Sequence, residues 1–435
     1  MAPETISLFS QGFNLAWQLV VWWWWLPLFF VLWDLFLHFW RYWRIGSWMK
    51  KNYRPMYIEI KIPRDIVKPI KAMEAVMTAI HGVCYDSPDW WEKWIDGKVI
   101  TSVYYDIVSD GGNIHFYIRF HSDFRDGVEA AVYSQFPDAE IEAVPDYTRS
   151  VPEDIPNRVW NLRGWDYKLA KKDIYPLKTY EEYEEPGAKP EEQVDPIAAL
   201  MEGMAKIKPG EQLWIQICAG PRSEKDAENF AKEGEAERDK LAYRKEKKKE
   251  GPLWQKLIRF IFFGVEDEKE EQQEIIPLEM KLTPGERKLI EKIENKVDKP
   301  MCSSGIRVVY LGKREVWFKP NFRLAFTYFN NFNDNDLNSL IVWGETFTRV
   351  HKSWFLPYNI LIPRLEYVKQ RRLIRCYRNR DAYTFPHDAH DKGRFRLNVE
   401  ELASLYHFPS RQTAPGPGIN RTESKETVAP GNLPM

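Results

Sequence analysis

Residues Leu15 to Trp40 read LAWQLVVWWWWLPLFFVLWDLFLHFW, an apolar run interrupted only by Gln18, Asp34 and His38. About 20 helical residues cross a bilayer core, so the run predicts a membrane-spanning helix over 15–40, kinked at Pro27. The alternative is a helix lying in the membrane interface. Basic residues follow the run (Arg41, Arg44, Lys50, Lys51, Arg54) and none precedes it. The positive-inside rule then predicts a single pass, with residues 1–14 outside the cell and everything after the basic segment 41–55 in the cytoplasm. Asp34 and His38 stand one helical turn apart, a spacing that suits either a proton relay or snorkelling to the interface.

Beyond the run the period changes. Met56–Pro63 alternates as a strand, and Lys68–Val83 carries Ile70, Met73, Val76, Met77 and Ile80 at helical spacing. Ile100–Ser109 and Asn113–His121 predict two strands joined by Asp110-Gly111-Gly112, a hairpin turn. Arg125–Phe136 predicts a helix and Ala139–Val144 a last strand. The order β-α-β-β-α-β predicts a ferredoxin-like domain over 56–147. The order recurs less cleanly. Asp166–Ala170 predicts a strand, and Asp195-Pro196 opens a helix. Glu211–Ala219 and Gly305–Leu311 predict strands, and Lys319–Phe332 a helix.

The expected fold class is therefore α+β: an N-terminal transmembrane helix followed by two ferredoxin-like (βαββαβ) units, the second with a long helical insertion. The boundaries read 148–194 for a linker and 195–396 for the second α+β domain, with its insertion at 222–300. A docking helix at 397–409 and an extended tail at 410–435 complete the chain. In the insertion, Glu224–Glu250 is a solvated charged helix, Leu253–Gly264 is strongly apolar behind Lys247, Lys248 and Lys249, and Thr283–Lys299 is amphipathic. The apolar stretch predicts either contact with a membrane or partner, or burial in the chain's own core.

Composition removes several classes. In 435 residues, 62 Lys and Arg balance 63 Asp and Glu, leaving a net charge of −1 and no global footprint for nucleic acid. The four cysteines, Cys84, Cys218, Cys302 and Cys376, form no C-x-x-C, which excludes a zinc ribbon and favours buried reduced thiols. The Walker phosphate loop, G-x-S-x-G and H-E-x-x-H are all missing from the chain. No cofactor is expected. His387 and His390 in HDAHD make a weak metal pattern that reads better as a solvated loop. His115, Tyr117, Arg119 and His121 share a strand face that either contacts RNA or is covered. The strongest basic stretch, Arg364–Arg380, offers Arg371, Arg372, Arg375, Arg378 and Arg380 to phosphate, anionic lipid or an acidic partner, as do Lys247–Lys249.

Several segments together resemble an uncharacterised membrane-anchored bacterial domain family of conjugation and type IV secretion systems, frequent in small-genome candidate-phyla bacteria. They are YIEIKIPRDI (Tyr57–Ile66), KAMEAVMTAIHG (Lys71–Gly82), SQFPDAEI (Ser134–Ile141), DPIAALMEGMAKIKPGEQLWIQI (Asp195–Ile217), LTPGERKLIEKIENKVDKP (Leu282–Pro300), GIRVVYLGKREVW (Gly305–Trp317) and LNVEELASLYHFP (Leu397–Pro409), with Asn432-Leu433-Pro434 at the end. Members occur as separate chains or fused ahead of a HerA-like or TraD-like DNA-pumping ATPase. The resemblance implies a non-catalytic adaptor in the bacterial cell membrane that recruits or positions such an ATPase carried on a separate chain. The alternative is a membrane-tethered nucleic-acid-binding protein that guides DNA to the pump; an enzyme with an unrecognised site is the third class. Expected partners are the membrane and the ATPase, with DNA and a second copy of the chain as further candidates. The partner contacts implied are Leu402, Leu405, Tyr406, Phe408, Asn432, Leu433 and Pro434, with Leu397–Pro409 docking on the chain's own domain and the tail from Ser410 reaching the ATPase.

Overall fold

The computed structural model describes residues 17–18, 21–23, 25–63, 68–183, 195–242, 282–352, 354, 356–380 and 393–409. Lys247–Lys249, the apolar stretch 253–264, the HDAHD loop and the tail with Asn432, Leu433 and Pro434 lie outside the described residues. The chain divides into two units, 1–54 with 86–100, and 55–85 with 101–435.

In the first unit the apolar run forms helix α1 (Trp25–Asn52). The helical stretch Val21–Asn52 is long and apolar enough to cross a membrane. Helix continues well past Trp40, because Arg, Met and Lys in the basic segment are good helix formers. Phe29, Trp33, Phe36, Trp40 and Trp43 follow one another at i+3 and i+4 spacing. Their successive ring centroids lie 6.0, 5.7, 6.2 and 5.6 Å apart, an unbroken aromatic ladder. A short wide turn, Glu92–Asp96, leans on the basic end of α1. Trp40 Nε1 donates to the Trp94 carbonyl at 2.9 Å, Arg44 Nε donates to the Ile95 carbonyl, and the Arg41 guanidinium sits 5.1 Å over the Trp94 ring. The approach requires glycine at Gly97. Its φ is +79°, and a Cβ there would meet the Arg44 carbonyl carbon at 2.4 Å.

The second unit opens with β1 (Pro55–Lys61), α2 (Ile70–Cys84), β2 (Val103–Asp110), β3 (Asn113–His121), α3 (Arg125–Gln135) and β4 (Glu140–Val144). It continues through β5 (Trp160–Leu169), α4 (Ala198–Ala205), β6 (Glu211–Pro221), the insertion helices α5 (Glu224–Leu241) and α6 (Pro284–Asp298), β7 (Met301–Lys313), α7 (Arg323–Asn330) and β8 (Leu340–Val342). It ends in α8 (Leu356–Asn379), β9 (Phe395–Asn398) and α9 (Val399–Leu405). The fold is α+β.

All the strand pairs are antiparallel and belong to one sheet of order β4-β1-β3-β2-β6-β7-β5-β8, with β9 added to β7. The order β4-β1-β3-β2 is matched in reverse by β6-β7-β5-β8, and the two series join where β2 pairs with β6 from Val103↔Ala219 to Asp110↔Gln212. Two separate domains were expected; their strands instead make one continuous sheet. The stretch 148–194 is likewise more than a linker, because it contains β5. That strand's alternation is broken at Gly164, where a Cβ would lie 2.4 Å from the Val308 carbonyl oxygen, so only glycine lets β5 close on β7.

Each face of the sheet has its own core. On one, α2, α3, α4, α7 and α9 cover Ile58, Ile107, Ile118, Trp165, Ile215 and Val308. On the other, α8 and the 147–155 segment cover Val108, Trp214, Val309 and Leu311 through Tyr147, Ile155, Leu373, Ile374 and Tyr377. The insertion helices pack on each other through Phe230, Ile293 and Val297.

Candidate functional site

The α8 face of the sheet carries polar residues where a second apolar layer is usual. Glu59, Tyr117, Asp106, Gln216, Arg307 and Asp166 are paired in turn across β1, β3, β2, β6, β7 and β5, so they form one rung across the sheet. All six are buried. The neighbouring rung places Tyr57, Arg119, Tyr104 and Cys218 side by side. Strand periodicity alone puts these side chains on one face; their burial comes from what covers them, Tyr147 over Tyr117, Arg380 over Asp106, and His115 beside Glu59.

The residue ending α8 completes the arrangement. Arg380 has φ +59°, a left-handed conformation unusual for a non-glycine residue, and it is 4% exposed. Its Nη2 donates to Asp106 Oδ2 at 3.1 Å and its Nη1 to the Tyr377 carbonyl at 2.6 Å, while its own carbonyl accepts from Tyr104 Oη at 2.7 Å. Tyr147 Oη donates to Asp106 Oδ2 at 2.8 Å and lies 2.7 Å from Tyr377 Oη, while Tyr57 Oη donates to Asp146 Oδ2 at 2.9 Å. The rings of Tyr57, Tyr147 and Tyr377 stand 5.7, 5.6 and 5.0 Å from the Arg380 guanidinium carbon. Arg119 lies similarly over Tyr57 and Tyr104. At the other end of the rung, Arg307 holds Asp166 through Nε at 2.6 Å and Nη2 at 3.3 Å.

Electrostatics separates the two carboxylates beside Arg380. Complete burial pushes the Asp106 carboxyl up, against the lowering effects of Arg380 and the Tyr147 hydroxyl. Burial also acts to raise Asp146, but the Arg380 charge and the bonds from Thr148 and Tyr57 outweigh it and hold that carboxyl below its ordinary value. Burial works against the Arg380 charge as well, and the surrounding tyrosines and Asp106 more than offset it.

A cavity of about 30 Å³ lies beside this rung, lined by Tyr104, Asp166, Gln216, Arg307, Arg380 and Arg394 among others. Gln216 Nε2 is buried without a hydrogen-bond partner. The space suits an ordered water, which needs roughly 10–15 Å³ and two to four polar partners. Asp106 and Arg380 therefore form a polar brace between the sheet and the end of α8. No protein family matches the chain, and no curated protein does.

The expected contact residues fall in different places. Arg380 is buried, so it is unavailable to phosphate or lipid. Arg378 is half-buried and donates to the carbonyls of Thr148, Val151 and Pro152 at 3.0, 2.7 and 2.9 Å, which leaves little of it for a ligand. Arg371 and Arg372 are half-exposed, and Arg375 is exposed. The face of His115, Tyr117, Arg119 and His121 is covered; Tyr117 stacks on Tyr147 with ring centroids 5.0 Å apart, closed to RNA bases. Leu402, Leu405, Tyr406 and Phe408 belong to the chain's own core and offer no partner surface. The reason is that a seven-residue helix has no stability of its own and is held by packing. Among the described residues no group of three or more His, Cys, Asp or Glu stands close enough to hold a metal ion.

Sequence reasoning missed the network itself. Asp106, the adjacent pair Asp146-Tyr147, and Tyr377 come from three distant parts of the chain, and their polarity reads as exposure. The one available signal was the strand period, which puts Tyr104, Asp106 and Val108 on one face.

Proposed function

We propose that the chain is a membrane-anchored, non-catalytic adaptor that positions a HerA-like or TraD-like DNA-translocating ATPase carried on a separate chain. The reading starts from the sequence resemblance to the conjugation and type IV secretion family. The helix Val21–Asn52 supplies an anchor, with the N-terminus outside and the soluble unit in the cytoplasm. The soluble unit is two ferredoxin-like halves fused edge to edge, a reading supported by the strand order β4-β1-β3-β2 and its reversal.

One observation carries the adaptor reading furthest. In the fused relatives the stretch resembling Leu397–Pro409 leads into the ATPase. Here the same stretch is built into a rigid body. Asn398 and Glu401 form a capping box, Leu177 N donates to Glu401 Oε1 at 2.8 Å, and Tyr328 Oη donates to the Leu405 carbonyl at 2.9 Å. Whatever follows Pro409 is therefore attached to a fixed platform, and a partner held by the tail is held at a defined place.

The test is co-purification of the full chain and of a chain truncated before Ser410 with an ATPase of this class from the same cells. The truncated chain should fold and insert in the membrane while losing most of the bound ATPase. Undiminished binding would move the interface to the folded unit; no binding by the full chain would sink the adaptor reading.

A further inference from the structure

Helix α8 is half covered. Its C-terminal part supplies Leu373, Ile374 and Tyr377 to the core, but its middle does not. Ile360 is 81% exposed, Val368 53% and Leu361 52%, with Leu365 and Tyr367 also exposed. Isolated exposed apolar residues need no explanation; a clustered set does.

At 3.6 residues per turn, Ile360, Leu361, Leu365, Tyr367 and Val368 fall within one sector of about 160°. Arg364, Arg371, Arg372 and Arg375 fall in the same sector. The helix's one acidic residue, Glu366, lies on the opposite side, where its Oε1 accepts from Val350 N at 3.0 Å. Among the described residues of the helix, the exposed face thus mixes aliphatic groups with cations and carries no anion; at its end Arg371 Nη1 donates to the Glu153 carbonyl at 3.4 Å. Just before the helix, Trp354 is 92% exposed, with Arg349, His351 and Lys352 close by in sequence.

Charge chooses among occupants. A second copy of the chain would bring the same cations against themselves. A nucleic acid would meet the arginines but gain nothing from Ile360, Leu361 and Val368. An anionic bilayer surface satisfies both: aliphatic side chains enter the acyl boundary while arginine heads remain among lipid phosphates. Only two residues, Tyr53 and Arg54, separate the end of α1 from the start of β1, so an anchored chain keeps this unit within reach of the membrane. We propose that the exposed face of α8, Ile360 to Arg375, is a lipid-docking surface that binds an anionic leaflet.

The inference rests on the membrane anchoring proposed above. The test places a polarity-sensitive dye at Ile360→Cys or at Trp33→Cys, in full-length chain with Cys376→Ser, reconstituted in lipid nanodiscs. One set of discs is pure phosphatidylcholine; the other is roughly one-third phosphatidylglycerol. Quenching is read with spin-labelled lipids. The position-360 dye should be quenched in the anionic discs and much less in the neutral ones. Arg364→Glu with Arg375→Glu should weaken that quenching at least about fivefold. Quenching at 33 without quenching at 360 would overturn the docking face and leave the anchor standing. No quenching at either position would overturn both. Equal quenching in the two lipids would refute the role of the arginines. A dimer that Ile360→Asp converts to monomer, with no quenching at 360, would assign the face to a second copy instead.

Discussion

Lys296 Nζ lies 3.1 Å from Glu401 Oε1, with both side chains wholly shielded from solvent. The pair ties α6, the last helix of the insertion, to α9. Glu401 also accepts from Leu177 N and Asn398 N at 2.8 and 2.9 Å, so its charge is well met, although burial still pushes its carboxyl up. Lys296→Met should therefore destabilise by about 3–5 kcal/mol, because it strands a buried carboxylate. Burial raises the Glu401 pKa and Lys296 opposes it, so in the variant the carboxyl takes up a proton at higher pH. The destabilisation should be largest at high pH and shrink as pH falls. Urea unfolding of wild type, Lys296→Met and the double variant with Glu401→Gln checks this; the double variant should recover part of the loss.

Acid sensitivity should arise at Asp146. Its folded-state carboxyl is held below the ordinary value by Arg380, Thr148 and Tyr57 against the effect of burial. A depressed carboxylate contributes stability that is fully present above its unfolded pKa and is lost as pH falls through the folded one. Asp146→Asn should lower stability near neutrality and flatten the decline below about pH 4. Asp106 has the opposite sign: its raised carboxyl opposes folding where it is charged, so Asp106→Asn should not flatten that acid limb. Denaturant midpoints between about pH 3 and pH 7 separate the two.

The elements that sequence made legible are those with local signals. Asp110-Gly111-Gly112 marked the hairpin, and both glycines take the expected positive φ, 58° and 96°. The amphipathic stretch from Thr283 and the docking element from Leu397 both form helices, each opened by a capping box, at Thr283 and Asn398. Long-range pairing left no such trace. Nothing in β2 or β6 announces that they join, because both read as ordinary buried strands. β9 is four residues long, too short for a period to show. Helix α8 was hidden by Pro363 inside it and by arginines that read only as charge. Arg380 was the most misleading residue, since a cation at the end of a basic run is ordinarily solvated. Here Tyr57 and Asp106 from two strands, Tyr147 from the segment after β4 and Tyr377 from its own helix enclose it.

The first unit depends on one glycine. Gly97 holds φ +79° with the Arg44 carbonyl carbon 2.4 Å from where a Cβ would stand. Gly97→Ala should therefore detach the 86–100 segment from α1, breaking the Trp40–Trp94 bond, without unfolding the sheet of the other unit. Limited proteolysis should show faster cleavage within 86–100, with the near-UV circular dichroism of the other unit largely retained. Unchanged cleavage would mean that the contact is dispensable.

Orientation is the prediction on which the adaptor reading stands. Residues 1–14 carry no Lys or Arg, while Arg41, Arg44, Lys50, Lys51 and Arg54 follow the apolar run. Basic residues resist transfer across the bilayer, so this asymmetry favours an outside N-terminus and an inside position for the second unit. An ATPase that consumes cytoplasmic ATP needs its platform on that side. With Cys376→Ser the background is quiet, since Cys84, Cys218 and Cys302 are buried. A membrane-impermeant maleimide on intact cells should label Glu4→Cys and not Lys225→Cys, an exposed position on α5. After lysis, Lys225→Cys should label as well. Labelling of Lys225→Cys but not Glu4→Cys in intact cells would reverse the topology, place the sheet outside the cell, and remove the ATPase from the list of partners this chain can reach.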